Sequence, residues 1–472
     1  MSKAEISSSE TRYVARVTEA KGGDGEAVAV GSFAKFLHEI VGDDARAAAQ
    51  YARLLALFTE KHEPGLRAAQ QQQNQQNGQQ NGQQNGGGGG AKSDAAAALH
   101  PHLAGLCLYL ASFAQFRSER QKDYDGAEDL YQRVLALDAK HPLALGNYAV
   151  LLHTVRKRYD DADRYYGAAT EAHPRHASVW VKYGNFKKHV RRDYPGAEEC
   201  YRRALAANAT HPDALGNYAV LLHGSLQRYD DAEDLYRRAV EADPEHVNNL
   251  GNYALFLADV RAKPDEAESF YKRAIALDPA HANSLYNYAV MLDATRRDFA
   301  RAEKFYRQAI AANPNHAFSH YNLAVLLEEA KKDFDGAEKH FELAIKANPR
   351  DALALGDAAT FFKNVRKNYD RAEALFKASI DIDPTCASVL YNYGNLLKHV
   401  RRDDKAAEAM YLQAVEEDAQ HVDAMGNLAN LYAETGRDEE AGKLYKKACA
   451  LVPGHEENRK NYAAWKKKKR RR

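Results

Sequence analysis

Asparagine stands at Asn147, Asn217, Asn252, Asn287, Asn322, Asn392 and Asn427, all in one register of 35 residues, with Lys182 and Asp357 filling the two gaps. A carboxamide carries two donors and an acceptor, so each side chain can pair with both the N–H and the C=O of an extended chain, whatever its sequence. Rungs of this kind at constant spacing are chemistry for holding a polypeptide backbone rather than for making or breaking bonds.

Histidine keeps a series of its own at His141, His176, His211, His246, His281, His316, His421 and His455. Neighbours one repeat apart are several ångströms too distant to share an ion at ~2 Å, so these residues read as turn and helix-start elements, and no metal is expected. The four cysteines, Cys107, Cys200, Cys386 and Cys449, have neither disulfide-framework nor zinc spacing. There is no Gly-rich phosphate loop, nucleophile elbow or HExxH helix. We therefore expect no catalytic residue, no cofactor and no enzymatic activity.

The elements that position the asparagines follow from other series at the same interval. Alanine repeats at Ala162, Ala197, Ala232, Ala267, Ala302, Ala337, Ala372 and Ala407. An aromatic follows at Tyr166, Tyr201, Tyr236, Tyr271, Tyr306, Phe341, Phe376 and Tyr411. In "SLYNYAVMLDA", Leu285, Tyr288, Ala289 and Leu292 share one helical face. In "ARAEKFYRQAIAANP", Ala302, Phe305, Tyr306 and Ala309 form a second stripe, and the closing Pro314 stops the helix. Each unit thus predicts two helices joined by a turn, with small residues where the axes approach. The turns carry basic pairs such as Arg191-Arg192 and Arg401-Arg402 followed by acids, which suits the dipoles of the two helix ends.

Small residues early in the first helix, Ala at the start of the second, an aromatic four residues later and a final Pro resemble the tetratricopeptide repeat. The resemblance covers about 107–455 and implies an all-α, right-handed solenoid superhelix of about ten 35-residue helix-turn-helix repeats. Two features depart from it. The family's Trp survives only at Trp180, with Leu145, Leu215, Leu250 and Leu285 elsewhere. The period is 35 rather than 34, with the extra residue placed in the turn. At 100° per residue Asn287 points away from the apolar stripe, beside Asn283, Val290 and Ala294. In this family that face lines a concave groove. The repeat arrays of O-GlcNAc transferases are similar in their inward asparagines, although no glycosyltransferase domain follows here. The resemblance therefore implies a peptide-binding ladder made of the nine residues above. Lys182, Lys188 and His189, then Asp259, Asp293, Glu328 and Glu329, then Lys398 and His399 would give that face alternating charge, able to set the register of a guest.

The ends read differently. Residues 1–31 are expected to be disordered, 32–62 to form a degenerate helix pair, and 63–95, with "QQQNQQNGQQNGQQNGGGGG", to be a linker. The repeat array spans 96–455, and 456–472 is a capping helix with a basic tail. That tail, Lys466, Lys467, Lys468, Lys469, Arg470, Arg471 and Arg472, resembles a nuclear import signal. It also conceals the character of the rest, because removing its seven charges from a net +1 leaves a mildly acidic body. With no signal-peptide core and no run of 18 apolar residues, a soluble cytoplasmic or nuclear protein is expected. The function expected is a scaffold that binds other proteins through extended segments. Alternatives are RNA binding, since pentatricopeptide repeats also have 35 residues, and service as the targeting subunit of a separately encoded enzyme.

Overall fold

The computed structural model describes residues 3–21, 26–61 and 101–469. The linker expected at 63–95, and Arg470, Arg471 and Arg472 of the tail, lie outside the described residues. Two compact units, 1–244 and 245–472, divide the chain. Among the described residues there is no strand, and each unit is a succession of antiparallel helix pairs, the all-α solenoid.

The apolar series explain the pairing. All eight alanines from Ala162 to Ala407, and all eight aromatics from Tyr166 to Tyr411, are at most 1% exposed. In the second unit, helix A (Ala282–Ala294) packs on helix B (Phe299–Ala312), and helix A (Ala317–Leu326) on helix B (Phe334–Ala347). Alanine on helix B lets the two axes close; the aromatic beyond it fills the space between repeats.

The turn accounts for the 35-residue period. Lys122, Lys157, Arg192, Gln227, Ala262, Arg297, Lys332, Lys367 and Arg402 all sit in the left-handed region at φ 52–59°. The next amide reaches back six residues, as from Asp193 to Lys187 O (3.0 Å) and from Asp333 to Leu327 O (2.9 Å), which widens the last turn of helix A. In the final repeat Gly436 takes φ 82° and Arg437 N reaches back only five, to Tyr432 O at 2.8 Å. The extra residue is therefore the widened helix end. An aspartate then starts helix B: Asp123, Asp193, Asp298, Asp333 and Asp403 accept from the amide three residues on.

Histidine performs the same task for helix A. Nδ1 of His141, His246, His281, His316 and His421 accepts from the amide three residues later, at 3.2–3.3 Å. The basic pairs do more than complement a dipole. Their first member bridges to helix B of the preceding repeat: Arg191 to Asp160 (2.5 Å), Arg401 to Asp370 (2.5 Å) and Glu373 (2.7 Å), and Arg296 to Asp265.

One repeat replaces its apolar contact with two imidazoles. Trp180 Nε1 donates to Pro174 O (2.9 Å), and at the equivalent place His320 Nε2 donates to Pro314 O (3.1 Å). With its proton on Nε2, His320 presents a bare Nδ1, which accepts from His340 Nδ1–H at 2.9 Å. Both rings are buried.

At the N-terminus, part of the segment expected to lack order forms the helix Lys3–Glu19. Its Tyr13 stacks on Phe36 (4.7 Å between centroids) and Val17 is buried, an apolar anchor too sparse to be recognised as a periodic stripe. The helices Glu26–Phe36 and Asp44–Lys61 dock on Pro101–Phe116: Tyr51 stacks on Phe113 at 4.9 Å, and Ser32 Oγ lies 2.6 Å from Tyr109 Oη. A Cβ on Gly31 would stand 2.5 Å from the Tyr109 ring, so glycine permits this approach. At the other end Tyr462 and Trp465 of Glu456–Lys469 pack on Tyr445, and Trp465 Nε1 donates to Asp438 (3.1 Å).

Candidate peptide-binding face

Successive A helices of a unit lie side by side, and each carries one member of the asparagine series. In the first unit two of its three positions are occupied by each other. Lys182 Nζ donates to Asn147 Oδ1 at 2.7 Å, and Asn147 Nδ2 donates to Gln115 Oε1 at 3.0 Å. Asn147 is buried, so both ends of its amide serve the fold. Beside it lies a cavity of about 400 Å³ whose lining includes Glu119, Tyr131, Asn147 and Lys182. Burial lowers the Lys182 pKa, with Glu119 acting in the opposite sense. Asn217 is half-buried and has no hydrogen-bond partner among the described residues.

In the second unit Asn252 and Asn287 are likewise half-buried and unpartnered among the described residues. Asn322 donates through Nδ2 to Tyr286 Oη (3.1 Å) and Phe318 O (3.0 Å), leaving its Oδ1. Asp357 accepts from Tyr321 Oη at 2.6 Å. Asn392 accepts from Lys363 Nζ at 3.1 Å, and Asn427 Nδ2 donates to Asn395 Oδ1 at 2.8 Å. The nine positions thus differ in availability.

The residue just before each rung explains much of this. A tyrosine there reaches forward to the next rung, as Tyr286 does to Asn322, Tyr321 to Asp357 and Tyr391 to Asn427. Where glycine stands instead, as at Gly251, no hydroxyl arrives, and Asn287 keeps its amide. Sequence reasoning missed these tyrosines, although the signal was present as "YN" against "GN".

The charges on this face also separate. Burial pushes the Lys188 ammonium down to about 8 and lowers His189, on which the neighbouring Lys188 charge acts in the same sense. The expected basic patch of the first unit is therefore carried by lysines. Lys398 is paired with Glu434 (2.6 Å) and Asp404 (3.1 Å), so it does not restore free positive charge in the second unit. Asp293, Glu328 and Asp357 are all held above the usual carboxylate range, chiefly by burial, with Glu329 adding repulsion to each. Of the basic tail, Lys466, Lys467, Lys468 and Lys469 continue the last helix and are exposed.

No helix among the described residues is long and apolar enough to cross a membrane. Two family models match. The middle TPR-like domain of cilia and flagella-associated protein 70 covers residues 154–249. The tetratricopeptide repeat covers 257–317, 293–352, 330–386 and 401–456. No curated protein matches the chain. Among solved structures, yeast Tom70 aligns at 17% identity and TM-score 0.38, over 77% of this chain and 96% of that one. The human IFIT1 dimer with m7Gppp-AAAA aligns at 17% identity and TM-score 0.46, over 73% and 90%. With helix pairs of this geometry in both units and repeat models matching along each, the chain belongs to the tetratricopeptide-repeat family.

Proposed function

We propose that the chain is a non-catalytic interaction scaffold whose A-helix face in the second unit grips an extended segment of another protein. The observation that supports this is the pair of consecutive half-buried carboxamides at Asn252 and Asn287 with no partner among the described residues, followed by Asn322 with its Oδ1 unused there. Rungs ~10 Å apart each meet about three extended residues, so three rungs engage roughly ten. At ~1 kcal/mol per bond they contribute ~3 kcal/mol, about 150-fold in affinity, and side-chain contacts supply the rest. Asn217 provides a like rung in the first unit, where Asn147 and Lys182 bond to each other, whereas in the second unit Asp357, Asn392 and Asn427 shape the face through bonds within it. The exposed run from Lys466 would act apart from this face, as an import signal.

Partner capture from a lysate by wild type and by N252A/N287A/N322A tests the reading, with circular dichroism confirming equal helicity. Loss of the captured partner is expected. Equal recovery from both proteins would overturn the proposal, and N147A, predicted to loosen its own repeat without reducing capture, serves as the control.

A further inference from the structure

Resting on the reading that the second unit holds an extended chain, we propose that this face selects a cationic, Lys/Arg-rich segment. The carboxylates of the unit fall into two populations. On the B helices Glu268 and Glu373 are neutralised: Arg301 (2.8 Å), with Lys272 (2.9 Å), holds Glu268 down to about 2, and Lys377 (2.7 Å) with Arg401 (2.7 Å) lowers Glu373. Four on the A-helix face, Asp293, Glu328, Glu329 and Asp357, are in no ion pair among the described residues. Among the described residues Asp357 is bonded by the Tyr321 hydroxyl alone, and Asp293 by the Tyr306 hydroxyl alone, at 3.5 Å. Arg297 beside Asp293 and Lys332 beside Glu328 offset the burial and mutual repulsion only in part. The fold thus concentrates unneutralised negative charge beside its free carboxamides, where a cationic guest would relieve it.

A second feature points to the same occupant. Helix B tyrosines send their hydroxyls toward the A-helix face, where a residue 13 or 16 positions earlier receives them. Tyr306 meets Asp293, Tyr411 meets Asn395 (2.8 Å) and, in the first unit, Tyr166 meets His153 (3.3 Å). For Tyr271 those positions are Ala258 and Leu255, which offer no polar group. Its hydroxyl is fully buried without a hydrogen-bond partner, and its nearest charge influence is Asp259. Its counterparts Tyr131 and Tyr411 bond to Asn147 and Asn427, the positions that correspond to Asn287 in this repeat. A neutral phenol accepts from an ammonium or guanidinium as readily as a carboxamide oxygen does, and it leaves the local charge negative. Half-buried Tyr286 and exposed Phe318, 6.2 Å apart, add aromatic surface for the stems and heads of long basic side chains. A nucleic acid would bring phosphates against the same carboxylates, so the charge disfavours it.

The test uses the full chain and three fluorescent 12-residue peptides of equal length, one Lys/Arg-rich, one Ser/Gln-rich and one Glu-rich, read by anisotropy at ~150 mM salt. The basic peptide is expected to bind at least tenfold more tightly than the neutral one, and the acidic one more weakly still. E328Q/E329Q should abolish the basic-over-neutral preference while leaving neutral-peptide affinity within twofold. N252A/N287A/N322A should weaken basic and neutral peptides by a common factor. Absence of the preference in wild type, its survival in the neutralised variant, or tighter binding of a 12-nucleotide RNA than of the basic peptide would overturn the inference. Failure of the underlying reading has a different signature, namely unchanged affinities in the asparagine variant.

Discussion

The His320–His340 pair makes the stability of the second unit depend on pH in a way the neighbouring repeats should not share. His340 is 9% exposed, and its pKa is lowered from 6.5 to about 4 by burial first, then by His320, Arg307 and Lys339. Protonation at Nε2 keeps the bond to His320 but places an imidazolium in a buried site that the charge of Asp333 offsets only in part. The unfolded chain therefore binds a proton at pH values where the folded chain does not, and stability rises with pH between about 4 and 6.5. The contribution is fully present above pH 6.5 and is lost as acid approaches pH 4. A shift of that size corresponds to about 3 kcal/mol, of which about 2–3 kcal/mol should disappear between pH 7.5 and 4.5. The comparison variant is H320L/H340F, because Leu285 and Leu355 stand at the first position in the flanking repeats and Phe305 at the second. Urea denaturation of both proteins at several pH values gives the difference, in which all other titrating groups cancel. Since repeat arrays open locally, hydrogen exchange over 317–347 should show the same divergence. A wild-type-minus-variant difference that stays flat from pH 7.5 to 4.5 would refute the reasoning.

Four further outcomes are open to measurement. R402G should raise stability by up to ~1 kcal/mol in thermal or urea unfolding, because a non-glycine residue at φ 59° carries strain that glycine lacks. H281A removes the acceptor that starts its helix and should cost ~1 kcal/mol near neutral pH. Burial lowers the His281 pKa, so that cost should fade as acid protonates the ring, which a pH series of melting curves would register. G394A drives a Cβ to 2.6 Å from the buried Tyr411 ring and should destabilise by ~1–3 kcal/mol in the same assays. Y286F removes the hydroxyl that accepts from Asn322, so it should change unfolding free energy by no more than ~1.5 kcal/mol and leave peptide affinity equal or higher; a lower affinity would mean the tyrosine itself holds the guest.

The sequence by itself determined the repeat, the pairing of helices and the core, because periodic burial leaves a periodic record. Ala302 and Tyr306 announce their burial by spacing alone, and the 35-residue period announced an extra residue, which the structure puts in the widened end of helix A rather than in the turn beyond it. The histidines were legible as helix-start elements because their position outside the apolar stripe was fixed. What only tertiary structure decided was which side chains are already spent. Asn147 and Asn287 are identical in type and register, yet one is held at both ends by Gln115 and Lys182 while the other is open, since their partners come from residues about 32 to 36 positions away on other helices. The same holds for charge. Glu268 and Glu328 are both glutamates on amphipathic helices, but an arginine 33 residues along the chain reaches the first, and among the described residues no cation forms an ion pair with the second. Spacing along one helix fixes the face a residue occupies; occupancy of its hydrogen bonds depends on what neighbouring repeats bring to that face.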